Sequence, residues 1–175
     1  SGNAHLRLMR DHVNTDLGGA TLLGIHLEGP FIDPGKKGGI ALNGIYASSP
    51  ASLAQLYDAT GDTLRMMTIA PELPGNLEII RQLVDRGTVA AFAHSSAKYE
   101  EVRAGFDAGI SHVTHIFNAM TPLHHREPGP LAAIFEHPSV TAQIISDGHH
   151  VHPAFVRLLF RLLGKDRRRA RVGLA

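Results

Sequence analysis

Short apolar runs that alternate with helically spaced segments restrict the fold of this chain more than any other feature. Runs at 21–27 (TLLGIHL), 63–69 (TLRMMTI), 88–93 (TVAAFA), 112–117 (HVTHIF) and 140–145 (VTAQII) read as strands. Between them lie 49–60, opened by Ser-Pro and stopped by Gly61, and 76–86, with Asn76 as N-cap and Gly87 at its end. Residues 99–108 end at Gly109, 131–136 form a short helix, and 153–163 carry Pro153 in the first turn and Gly164 after the last. Residues 1–16 read as a leading helix. Strand, helix and strand in succession impose parallel pairing through a right-handed crossover. The class is therefore α/β, either an open doubly wound sheet or part of a (β/α) barrel. About five strand–helix units fit within the 175 residues, whereas a complete barrel has eight and takes about 250 residues.

Composition narrows the function classes. The formal net charge is +1, so the overall field favours neither nucleic acid nor a membrane surface. The single basic cluster, KDRRRAR at 165–171, reads as a solvated end. Cysteine is absent, which excludes disulfides and thiolate metal sites. No apolar run approaches the roughly 20 residues of a membrane span, and no leader peptide is expected. Histidine stands out, with 12 in the chain. It is the commonest metal ligand and the commonest acid/base group.

The polar residues of interest sit at strand ends: Glu28 after TLLGIHL, His94 and Ser95 after TVAAFA, His115 closing SHVTH and leading into Asn118, and Asp147, His149 and His150 after AQIIS. Carboxyl ends of parallel strands converge on one face, where barrel active sites are built. Glu28, His94 and His115 match a common catalytic zinc set of two histidines and a glutamate, which leaves a position for water of lowered pKa. Each histidine taken alone also suits a hydrogen-bonded structural role. In HHREPG at 124–129, Arg126 offers a fork of donors to phosphate or carboxylate, or else belongs to a polar turn. His152 reads as a turn residue before Pro153. His5, His12 and His137 read as solvated, as does the pair Lys36 and Lys37.

Together, GIHLEGPFI (24–32), KKGG (36–39), TIAPE (68–72), AHSSA (93–97), THIFNAM (114–120), PLHHREPG (122–129) and SDGHHVHP (146–153) resemble the N-acetylglucosamine-6-phosphate deacetylase family of the amidohydrolase superfamily. The resemblance implies a partial (β/α)8 TIM barrel of the metal-dependent hydrolase type, one domain over 1–175. It implies Glu28, His94 and His115 as ligands of a divalent metal, zinc above all, with iron or another divalent ion as alternatives. It places Asn118, Ala119, Arg126 and His150 at a phosphosugar substrate, with Arg126 reaching across the interface of a homodimer. The implied activity is hydrolysis of an N-acetyl group in amino-sugar catabolism, in the cytoplasm.

Three departures from the family pattern bear on activity. The family's general acid/base is an aspartate in a Val-Thr-Asp-Ala context, and no acidic residue follows Asp166, so no catalytic acid/base is assigned. The Arg-rich run at 167–171 is a poor strand candidate. Gly39 and Ile40 stand where relatives place a histidine after Lys-Lys-Gly. The small β-domain and the first and last barrel strands are expected to be missing from 1–175, the first strand lying upstream of Ser1. The alternative is a catalytically impaired fragment that binds metal or phosphosugar, or half of a split barrel.

Overall fold

The computed structural model describes residues 3–164 and 172–174. Its chain runs α1 (Ala4–His12), β1 (Ile25–Glu28), α2 (Pro50–Thr60), β2 (Leu64–Ile69), α3 (Asn76–Asp85) and β3 (Val89–Phe92). It continues α4 (Tyr99–Ala108), β4 (His112–Val113), α5 (Gly129–Glu136), β5 (Thr141–Ile144), α6 (Pro153–Leu163) and β6 (Val172–Leu174). All neighbouring strands pair in parallel, and their spatial order equals their sequence order. A doubly wound sheet reverses direction at a switch point. Steady progression in one direction is how a barrel wall is built, which settles the choice left open by the alternation. Among the described residues no helix is long and apolar enough to cross a membrane.

Period-2 alternation divides each strand between two environments. Ile25, Met67, Ile69, Ala90, Phe92, Val113, Ala142 and Ile144 are buried in the main core cluster, which the helices cover. Ile79, Ile80 and Leu83 of α3 join that cluster almost fully buried, each contributing roughly 1.5–3 kcal/mol of transfer free energy. The intervening strand positions carry polar groups. His26 Nε2 lies 2.9 Å from Thr68 Oγ1, which lies 2.9 Å from Thr114 Oγ1, and His112 Nδ1 lies 2.6 Å from Thr141 Oγ1. These share the face of the sheet opposite the apolar core.

Several readings of the sequence need correction. Asn76 does not cap α3: the cap is Gly75, at φ +83. The Asn76 side chain is instead buried, its amide donating to the carbonyls of Phe31 (3.0 Å) and Ala70 (2.7 Å). A sixth strand, Val172–Leu174, pairs with β5, although the arginines before it argued against a strand there. The basic cluster at 165–171 lies outside the described residues. His137 is not simply solvated, because Nδ1 accepts from the Val140 N–H (3.1 Å) and the ring lies against Phe106.

Burial, with His26 close by, brings the His112 pKa down from 6.5 to about 4. A histidine whose folded pKa is lowered contributes stability above its unfolded value, and loses it as pH falls toward the folded one. Between pH 6.5 and about 4, His112→Asn is expected to lose less thermal stability than the parent chain. Equal losses in a calorimetric pH series would remove His112 from the acid response.

Candidate metal centre

Glu28 ends β1, while His94 and His115 each follow the end of a strand, β3 and β4 respectively. Parallel register brings these carboxyl ends side by side, so residues 66 and 21 positions apart meet. Their ligand atoms all fall within 4.8 Å of one another. His94 Nε2 is 2.6 Å and His115 Nε2 is 3.1 Å from Glu28 Oε1, and the two imidazole nitrogens are 2.9 Å apart. Glu28 is 44% exposed on its side chain, against 4% for His94 and 12% for His115. The cluster is therefore most exposed on the carboxylate side, at the edge strand β1.

Backbone geometry aims the two imidazoles. His94 (φ +49), His115 (φ +33), Phe117 (φ +80) and Ala119 (φ +51) all occupy the left-handed region. Each such non-glycine residue costs about 1–3 kcal/mol and persists only where its surroundings impose it. The two loops fasten to each other through Ser95 N–H donating to Ala119 O (3.1 Å) and a bridge between Ser95 and Met120. The His94 carbonyl accepts from Asp33 N–H (2.9 Å). Gly38 approaches the His94 ring at φ +54, where an added Cβ would stand 3.4 Å from Cε1.

The hydrogen-bond arrangement defines what the cluster wants. The Lys36 carbonyl can only accept, so His94 Nδ1, 2.7 Å away, carries the ring proton. His94 Nε2 is then a lone pair directed at a carboxylate oxygen and at a second imidazole nitrogen. Three acceptors this close repel unless protons or a cation lie between them. The bonds from His115 and His94 draw the Glu28 carboxyl far below the usual carboxylate range. Burial opposes charge on His94, yet its bonds to Glu28 and the Lys36 carbonyl outweigh it and raise its pKa. Two imidazole nitrogens and a carboxylate, with one histidine oriented by a carbonyl from behind, form a donor set that suits a divalent metal once the nitrogens give up their protons.

The other expected site residues lie on the same rim, following β4 and β5. The Asn118 amide stays local, facing the carbonyls of His115 (3.3 Å) and Ile116 (3.4 Å). Arg126 is exposed in the loop before α5. Asp147 accepts from the His149 and His150 N–H groups (2.8 and 2.9 Å) and meets His150 Nδ1 at 2.7 Å. The His150 and His149 amides hold its carboxyl well below the usual range. His152 caps α6, Nδ1 accepting from Ala154 N–H at 3.2 Å. Lys37 Nζ turns back onto the Gly38 carbonyl (3.1 Å). Glu72, the last residue of TIAPE, lies behind the His94 loop against Ser95 and Ser96, a placement that the sequence does not signal.

A sequentially ordered parallel sheet with a Glu-His-His cluster at its carboxyl ends is the wall of a (β/α) barrel with a candidate metal site at its rim. No family model matches the chain. It is 37% identical over 149 residues to N-acetylglucosamine-6-phosphate deacetylase of Bacillus subtilis, covering 85% of this chain and 38% of that protein. It is 41% identical over 140 residues to N-acetylgalactosamine-6-phosphate deacetylase of Escherichia coli O157:H7, covering 80% and 37%. The crystal structure of N-acetyl-D-glucosamine-6-phosphate deacetylase from Mycobacterium smegmatis superposes with a TM-score of 0.86 at 40% identity, covering 97% of this chain and 43% of that one. An aspartate-to-alanine mutant of the same mycobacterial protein, in complex with N-acetyl-D-glucosamine-6-phosphate, matches equally well. Over most of its length the chain is similar to N-acetylglucosamine-6-phosphate deacetylases, and it spans about two fifths of the length of these relatives.

A cation that satisfies three converging acceptors stabilises only the folded chain. Saturation at about 100 times the dissociation constant contributes about 2.7 kcal/mol. For a chain of this length that raises the melting temperature by roughly 5–10 °C. Scanning calorimetry with zinc or cobalt added is expected to show that rise, and Glu28→Ala to abolish it. An unchanged rise in the variant would place the cation elsewhere.

Proposed function

We propose that the chain carries the metal-binding part of a deacetylase that hydrolyses the N-acetyl group of N-acetylglucosamine 6-phosphate, releasing acetate and glucosamine 6-phosphate. The observation that carries this reading is the convergence of Glu28 Oε1 with His94 and His115 Nε2 at the strand ends, in a chain whose relatives are named for that reaction. Glu28, His94 and His115 would hold a divalent ion, and their nitrogen and oxygen donors favour zinc, with iron(II) as the alternative. When bound, such an ion polarises an amide carbonyl and acidifies water at neutral pH.

The chain's own residues then bind and orient. Arg126 offers a bidentate fork to the 6-phosphate, from an exposed loop suited to serving a neighbouring subunit of a homodimer. His150, fixed by Asp147 through Nδ1, presents its remaining ring nitrogen to a sugar hydroxyl, and Asn118 with the Ala119 backbone lines the sugar. A phosphorylated sugar does not cross membranes unaided, which supports a cytoplasmic role in amino-sugar catabolism. The relative acting on the galactosamine epimer makes the configuration at the sugar's C4 the open point of specificity.

The test is acetate release from the two 6-phosphates by the purified chain supplied with zinc or iron(II). Metal-dependent release that disappears in Glu28→Ala, and whose KM rises about tenfold or more in Arg126→Ala, is the expected outcome. Metal uptake without any release would reassign the chain as a binding-competent remnant, in which Ile40 and the unassigned acid/base cost the turnover.

A further inference from the structure

β2 contributes no member of the Glu-His-His cluster, yet its carboxyl end carries Glu72, half-buried behind the His94 loop. Both oxygens of this carboxylate are used. Oε2 accepts from Ser95 Oγ at 2.7 Å, and Oε1 accepts from the Ser96 N–H at 2.8 Å. Ser95 is fully buried, and its Oγ accepts in turn from the Ala97 N–H at 3.0 Å. Ser96 Oγ donates to Asp33, the residue whose N–H binds the His94 carbonyl. Residues 94–97 are thus gripped one after another, beginning at a histidine whose φ of +49 is unfavourable for a residue with a side chain. None of the contacts that Glu72 makes reaches Glu28, His94 or His115 directly.

We infer that Glu72 is a positioning residue: through Ser95 and Ser96 it holds the His94 loop in the left-handed conformation that points Nε2 at Glu28 and His115. This rests on the reading of those three residues as a metal site. Outer contacts of metal ligands are worth about 10–100-fold in metal affinity. A backbone clamp on a strained ligand acts in the same way, because release of the strain turns the nitrogen away.

Cobalt(II) titration of the purified chain, followed by visible absorption, reads both affinity and ligand geometry. Glu72→Ala and Ser95→Ala are expected to weaken cobalt binding about 10–100-fold and to shift the absorption of the bound ion. Glu72→Gln, which keeps one acceptor, falls between them and the parent. Leu83→Ala, in the core away from the site, lowers the melting temperature but leaves affinity and spectrum at parental values, as a purely structural role would. Parental affinity and spectrum in Glu72→Gln and Ser95→Ala, the two milder changes, would overturn the inference even if Glu72→Ala fails to fold. Should the parent chain bind no more cobalt than Glu28→Ala, the metal reading itself fails and the inference with it.

Discussion

Three acceptors pressed together at one rim, Glu28 Oε1 with the Nε2 atoms of His94 and His115, set the terms for the rest of the structure. With no proton among them they repel, and at separations of 2.6–3.1 Å either shared protons or a bound cation must lie between them. Everything that fixes their geometry therefore prepares a place for a cation. The Lys36 carbonyl selects the His94 tautomer, and the left-handed turns at 94 and 115 aim the rings edge to face at 84°.

That arrangement is affordable because the sheet beneath it is overdetermined. One face of the strands packs Ile25, Met67, Phe92, Val113 and Ile144 into a continuous apolar layer under the helices. The other carries His26, Thr68, Thr114 and His112, linked to one another or to Thr141 by hydrogen bonds. Parallel register converts distance along the chain into proximity at the strand ends, and strain there is offset by burial elsewhere. Asn76 ties the Phe31 loop to the end of β2 by two hydrogen bonds. The segment that carries Asp33 and Lys36 thereby sits against the His94 loop.

The five strands legible as apolar runs were those packed on helices, because burial of one face leaves its mark as Val, Ile, Leu and Ala. Their limits were harder to read. Leu23 in the first run is 73% exposed, so the strand begins only at Ile25. β4 stops at Val113, because the chain soon turns left-handed at His115. β6 was hidden, with only three residues following a run of arginines. Family-specific words such as HLEGPF and THIFNAM located the three donors that spacing alone left ambiguous. Asn76 obeyed N-cap statistics yet serves as a buried cross-link, since a side-chain amide satisfies loop carbonyls as readily as a helix terminus. Glu72 had no local signal of role, because its partners lie on another strand's loop.

The central claim is that two imidazoles and one carboxylate from three strand ends hold one metal ion. X-ray absorption spectroscopy of the zinc-loaded chain tests it directly. The account predicts a shell of nitrogen and oxygen only, at about 2.0–2.2 Å, with the outer-sphere scattering of two imidazole rings. A shell of oxygens without imidazole scattering, or a spectrum unchanged in His94→Ala, would contradict it.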